Sequence, residues 1–243
     1  MKTYYFSIFY SSLLLIFICT HFSSAQLVQD FRVNDDTTNY NQADAKVGID
    51  GQGNFIIVWG DSRRGNLTTN IFCQRFDSLA NRLGNNFTIN SILDSASSPQ
   101  IAVRRDGSFG VCWIDGNSQV ANRTRFKFRI FNNLGVPISN EITINDTLTS
   151  YNMSFDIGTD GIGNFVIAYS FKLNVGSDKY DIYFQRIDKY GDKIGNKIKV
   201  NDDTGIYYQD YPKITVRQNG SFIITWQDQR PPVPMNGCDD IFM

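Results

Sequence analysis

Three aspartates stand at matched places, each two residues after a tryptophan: Asp61, Asp115 and Asp228. Paired carboxylates can cleave a glycosidic bond, one acting as acid and the other as base or nucleophile. A single active site needs one copy of each group, however, and these recur at a fixed place in the chain. Turn hydrogen bonds, or local ion pairs of Asp61 with Arg63 and of Asp228 with Arg230, are therefore the stronger reading. Histidine chemistry is set aside, because the only histidine, His21, lies in the N-terminal leader described below. That removes a Ser-His-Asp triad, a Cys-His pair and a His-ligated zinc site. No P-loop or dinucleotide fingerprint occurs in a strand–helix setting.

Other residue types suggest binding. Asn34-Asp35-Asp36, Asn145-Asp146 and Asn201-Asp202-Asp203 gather oxygen ligands of the kind calcium takes, as do Asp156 and Asp160. None has EF-hand spacing, and Asn and Asp are also ordinary turn residues, so calcium is a candidate and no cofactor is required. Arg75, Arg129 and Arg186 recur within one strand of the repeat and suit contacts between repeats or to backbone carbonyls. Tyr207, Tyr208 and Tyr211 form an aromatic cluster whose flat faces could stack on sugars. Arg63, Arg64, Arg123, Arg125, Lys179 and Arg230 fall at the ends of, or inside, loops that differ in length and sequence from one repeat to the next. Variable loops on a rigid scaffold are the usual place for recognition. These nine residues are the candidate ligand-binding set.

The elements that must position them come from a repeat. Phe55-Ile56-Ile57-Val58-Trp59 returns as Phe109–Trp113, Phe165–Tyr169 and Phe222–Trp226, with steps of 54, 56 and 57 residues. A period near 50 marks a repeat architecture. Each run follows a tight turn with Asp-Gly, Asn-Gly or Gly-Asn, and is short, aromatic and β-branched. Its apolar residues are consecutive, so this strand, B, is expected to be covered on both faces. Strand A precedes it, near 45–50, 100–104, 154–158 and 213–217. Strand C follows at 71–76, 126–131 and 182–187, and begins again at Asp240. Strand D ends in Asn at Asn90, Asn145 and Asn201.

Four strands in about 55 residues predict an all-β fold, a β-propeller of four-stranded antiparallel blades. An immunoglobulin-like domain needs roughly twice that length. The expected layout is a lone D strand at 26–34, blade 1 at 35–90, blade 2 at 91–145, blade 3 at 146–201 and a partial blade 4 at 202–243. The stop inside a strand C motif favours an incomplete propeller over a four-bladed ring in which the first D strand joins the last blade.

Residues 1–25 read as a secretory signal peptide: Lys2, an apolar run from Ser11 to Ile18, and Ser23-Ser24-Ala25 at the cleavage site. Without them the chain holds 22 Lys and Arg against 24 Asp and Glu. That balance offers no basic face for nucleic acid. No later apolar run is long enough for a transmembrane segment. Cys73, Cys112 and Cys238 are an odd number, so they make no closed disulfide framework, and one bridge among them stays open.

The units Asp-Gly-x-Gly-Asn-Phe-x-x-x-Trp-x-Asp-x-Arg, Ile-Phe/Tyr-x-Gln-Arg and Val-Asn-Asp resemble repeats of secreted bacterial β-propeller proteins. Many of these, in Bacteroidetes-like bacteria, carry a C-terminal type IX secretion sorting domain. Blades 2 and 3 depart from the pattern at Lys127-Phe128-Arg129 and Tyr169-Ser170-Phe171. The resemblance implies a scaffold and not an activity. The expectation is an exported, non-enzymatic binding or structural module, secreted or at the cell surface. Its partner would be a protein or a polysaccharide, met through the face bearing the B–C and D–A loops. The alternative is a glycoside-active propeller with its acids in those loops or in further blades.

Overall fold

A computed structural model describes residues 29–65, 68–91, 95–116, 125–145, 154–172, 180–204, 207–230 and 240–243. The chain divides into a short unit, Met1–Arg32, and a main unit, Val33–Met243. Of the first, only residues 29–32 are described, and they carry no regular structure. The main unit is all strand and turn among the described residues.

Four antiparallel sheets follow one another along the chain. Blade 1 is β1 (Gln42–Ile49), β2 (Phe55–Asp61), β3 (Asn70–Phe76) and β4 (Phe87–Thr88). Blade 2 is β5 (Ala96–Val103), β6 (Phe109–Asp115), β7 (Arg125–Phe131) and β8 (Ile142–Thr143). Blade 3 is β9 (Phe155–Thr159), β10 (Phe165–Phe171), β11 (Asp181–Ile187) and β12 (Lys193–Lys199). Blade 4 is β13 (Gln209–Val216), β14 (Phe222–Asp228) and β15 (Asp240–Phe242). Strands pair in chain order within each sheet, the up-and-down arrangement of a propeller blade. The A strands β1, β5, β9 and β13 touch in succession, so blades stack side by side along their first strands.

The expected D strand at 26–34 is not a strand over its described part, 29–34. D strands are short in blades 1 and 2, with two residues each.

The apolar runs of β6 and β10 are covered on both faces, as their pattern predicts, whereas Ile223 in β14 is exposed. In β10 all seven residues are buried. One cluster joins Ile56, Val58 and Ile71 of blade 1 to Phe109, Val111 and Trp113 of blade 2. A second joins Phe126 and Phe128 of blade 2 to Phe165 and Tyr169 of blade 3. A third joins Ala168 and Ile182 of blade 3 to Ile224 and Trp226 of blade 4. The core therefore lies between sheets. Each such side chain contributes about 1.5–3 kcal/mol of burial, so most of the stability is held at blade–blade contacts.

The Asn that closes strand D has a role beyond a turn. Asn90, Asn145 and Asn201 are buried, and their Oδ1 atoms accept the backbone N–H of Ile71, Phe126 and Ile182 at 2.8, 2.7 and 2.8 Å. Each ties the end of D to the start of C, 19 residues away. Without that acceptor a buried N–H would stand unpaired, at a cost of about 1–3 kcal/mol. In the A–B turns, Asp50 and Asp160 cap the backbone N–H groups of Gln52 and Asn54, and of Ile162 and Asn164. Gly53, Gly107, Gly163 and Gly220 supply the positive φ these turns demand, between 83° and 92°.

Candidate functional site

The chain places its candidate site where the A strands begin. Three of these strands carry a bulge at one shared position: between Ala43 and Lys46 in β1, Ser97 and Gln100 in β5, and Asp210 and Lys213 in β13. In each bulge a non-glycine residue takes positive φ: Asp44 at 56°, Ser98 at 53° and Tyr211 at 52°. Such backbone costs of order 1–3 kcal/mol and persists only where its surroundings enforce it. Pro99 and Pro212 follow two of these residues. A proline donates no ladder hydrogen bond, which an edge strand tolerates.

The bulges and the start of β9 enclose one cleft of about 250 Å³. Asp44 and Lys46 come from blade 1, Ser98 and Gln100 from blade 2, Ser154 and Phe155 from blade 3, and Tyr211 and Lys213 from blade 4. Tyr211 is 59% exposed, so its ring is presented to solvent. Asp210 lies behind it, buried. The Asp210 carboxylate accepts from the Ser154 hydroxyl, from the Tyr211 N–H at 2.8 Å and from the Tyr208 hydroxyl at 3.0 Å. The Ser154 Oγ also accepts the Tyr211 N–H at 2.8 Å, so blade 3 fixes the bulge of blade 4. Burial, with the Asp210 charge beside it, pushes the Tyr208 phenol well above its ordinary value and keeps it a donor.

The nine sequence candidates divide among several places. Tyr211 lines the cleft. Tyr208 stands behind it, with its ring 4.8 Å from that of Tyr180, and Tyr207 is half-buried. Arg64 and Arg125 are exposed. Arg123 and Lys179 lie outside the described residues.

Arg63 and Arg230 are held by the scaffold. Asp61 accepts from Trp59 Nε1 at 2.9 Å and from Arg63 Nε at 3.0 Å, and Arg63 reaches Asp35 at 2.6 Å. Asp228 accepts from Trp226 Nε1 at 3.0 Å and from Arg230 Nε at 2.8 Å, and Arg230 reaches Asp202 at 2.6 Å. Each guanidinium also lies over the strand C aromatic of its own blade, Phe72 at 4.0 Å and Phe242 at 4.3 Å. The Trp-x-Asp-x-Arg motif is thus a clip that ties the D–A loop to the end of strand B.

Two of the three strand C arginines bridge blades. Arg75 donates to the Leu134 carbonyl of blade 2, and Arg129 to the Ile89 carbonyl of blade 1 at 3.2 Å. Arg186 is exposed.

Several of the oxygen ligands weighed for calcium are engaged by the chain itself, and Asp146 lies outside the described residues. Asp36 accepts from Thr38 and Gln42, Asp35 pairs with Arg63, and Asp156 accepts the Ile214 N–H at 3.1 Å. Cys73 and Cys112 are buried free thiols, and burial raises both above the ordinary thiol value. Cys238 lies outside the described residues.

Asp44, Lys46, Ser98, Gln100 and Lys213 were not singled out from sequence. The available signal was Ser-Pro-Gln and Tyr-Pro-Lys at one shared place in otherwise strand-like runs, since proline there marks an edge or a bulge.

No protein-family profile matches the chain, and no curated protein matches it. Solved structures do. It is similar to the GH93 α-L-arabinofuranosidase of Fusarium graminearum, solved with arabinobiose, with a TM-score of 0.56 at 13% identity. That match covers 85% of this chain and 63% of the other. A Hadza microbial sialidase is similar with a TM-score of 0.50 at 10% identity, covering 77% of this chain and 42% of the sialidase. The chain therefore spans less than two thirds of either protein. At these identities the likeness concerns the backbone, and with the four successive antiparallel sheets it establishes an all-β propeller fold.

Proposed function

We propose that this chain is an exported, non-enzymatic propeller that binds a polysaccharide in the cleft at the start of its A strands. The observation that carries the reading is the cleft itself. All four blades contribute to it, and three non-glycine residues are held at positive φ to shape it. An exposed tyrosine beside hydroxyl, amide, ammonium and carboxylate groups is the chemistry that recognises sugars, with a flat apolar face for the ring and polar groups for the hydroxyls. The D–A loops lead into these strands, which supports recognition on that face.

Binding is favoured over cleavage by what the nearby carboxylates do. A glycosidase needs one carboxyl that stays protonated to act as acid. Asp156 and Asp210 instead accept hydrogen bonds from backbone and hydroxyl donors, the pattern of a structural acceptor. Asp44 is the carboxylate at the cleft surface, and it keeps glycoside cleavage as the second reading.

The test is calorimetric titration of the purified chain with a panel of neutral and acidic polysaccharides. At least one should bind, and Tyr211→Ala should weaken it about tenfold, the loss expected of one stacked ring. The same samples should release no reducing sugar. No binding across the panel, or binding indifferent to Tyr211, would sink the cleft reading. Sugar release abolished by Asp44→Asn would replace it with the second. Export is checked by intact mass, which should match a secreted chain beginning at Gln26. A retained leader would reject it.

A further inference from the structure

Eight lysines fall among the described residues, and the chain itself engages six of them. Lys127 pairs with Glu141 and Lys199 with Asp181. Lys193 donates to the Ile144 carbonyl at 3.2 Å. Lys172, Lys189 and Lys197 lie over the rings of Tyr180, Tyr190 and Phe171. The two that meet no partner among the described residues are Lys46 and Lys213. Both line the cleft at the start of the A strands.

Register puts them there. Val58, Cys112, Ala168 and Thr225 hold one position in the four B strands, and they pair with Lys46, Gln100, Asp156 and Lys213. The same place on each A strand thus carries an ammonium in blades 1 and 4, an amide in blade 2 and a carboxylate in blade 3. The carboxylates beside the cleft are occupied. Asp156 accepts the Ile157 N–H at 3.0 Å on one oxygen and the Ile214 N–H at 3.1 Å on the other. Asp210 accepts from Ser154 and Tyr211 on one oxygen and from Tyr208 on the other. Among the described lining residues Asp44 is the one carboxylate, set against two ammonium groups. Each ammonium has three donors and no acceptor of its own. A ligand that displaces its water must return acceptors, and an anion does so best.

We propose that the sugar this cleft takes is anionic, with Lys46 and Lys213 holding its charged group while the Tyr211 ring stacks on its apolar face. The inference rests on the cleft reading above and adds the charge of the ligand to it. A lysine ammonium acts as a point charge. It therefore serves a uronate carboxylate and a sulfate ester alike, and the class of ligand is an acidic polysaccharide bearing one of these groups.

Calorimetric titration of the purified chain with matched pairs tests this: oligogalacturonate against its methyl ester, and a κ-carrageenan oligosaccharide against its desulfated form. The acidic member of at least one pair should bind about tenfold tighter than its neutral partner, and the preference should shrink as salt is raised. The pair that shows it tells carboxylate from sulfate. Lys46→Gln and Lys213→Gln should each cut the preference about threefold to fivefold, the worth of a solvent-exposed ion pair. Lys46→Arg keeps the charge and should retain it. Equal affinity within both pairs, or a preference that neither glutamine variant moves, would overturn the proposal. Tyr211→Ala separates this from failure of the cleft reading. If it still weakens the neutral members, the cleft stands and the charge assignment alone falls. If neither pair binds, or binding in both is indifferent to Tyr211, the cleft reading falls and the proposal with it.

Discussion

Asp61→Ala should destabilise the chain by about 3–5 kcal/mol, because it leaves Arg63 without its buried partner. The Asp61 side chain is fully buried, and that of Arg63 is 18% exposed. The substitution also takes the acceptor from Trp59 Nε1, an indole donor in a residue only 3% exposed. For a domain of this size the melting temperature should fall by roughly 10 °C, at about 2–4 °C for each kcal/mol. Asp228→Ala should behave alike, since it holds the same clip in blade 4. Asp115→Ala should cost less, because Asn117 stands where the clip needs arginine. Equal losses in all three blades would show that the arginine contributes nothing.

The same clip fixes an acid dependence. Burial works to raise the Asp61 pKa, but hydrogen bonds from Arg63 and Trp59 outweigh it and leave the group below the ordinary 3.8. Asp228 is lowered for the same reasons. A carboxylate depressed in the folded state contributes stability above its unfolded pKa and loses it as pH falls through the folded value. The stability gap between the parent and Asp61→Asn should therefore be constant at neutral pH and shrink only below about pH 4. Chemical denaturation as a function of pH is the measurement, and a gap that already shrinks near neutrality would refute the assignment.

Phe165→Ala should be at least as damaging, by about 3–5 kcal/mol. The ring is fully buried between blades 2 and 3, 5.1 Å from that of Phe128, with the Arg104 guanidinium over its face. Gly110 shows how tightly this space is filled: a Cβ there would stand 2.6 Å from the Phe128 ring and 2.8 Å from that of Phe165. Gly110→Val should accordingly destabilise by overfilling where Phe165→Ala does so by emptying. Denaturant unfolding of the two single variants and their combination is the measurement. Because the sites touch, the combined loss should be smaller than the sum. Strict additivity would mean that the two residues do not share one space.

Much of this was legible in the sequence. Strand B stands out because burial on both faces demands consecutive apolar residues and its turn demands glycine, and both are local signals. Strand C is as clear for the same reason. Strand A was placed too late in three blades: the expected 45–50, 100–104 and 213–217 are Gln42–Ile49, Ala96–Val103 and Gln209–Val216. The cause is the bulge. It uses Asp44, Ser98 and Tyr211 at positive φ, where a reader of sequence looks for glycine. The cleft was missed for that same reason, apart from Tyr211. Asn90 and its counterparts look like turn residues because their partner lies 19 residues away, and no local pattern records such a bond. The clip of Asp61 and Arg63 was readable as a local ion pair, whereas its reach to Asp35 was not.

The alternation of Asp50, Arg104, Asp160 and Arg217 at the residue that opens each A–B turn sets a rule of parity. A blade added or removed singly would set two arginines or two aspartates side by side, where every junction in the chain sets one against the other. Blades added or removed in pairs keep every junction of a type already present in the chain. The smallest module by which this scaffold can be lengthened or shortened without redesigning a junction is therefore two blades, about 110 residues on the spacing of the aromatic strands.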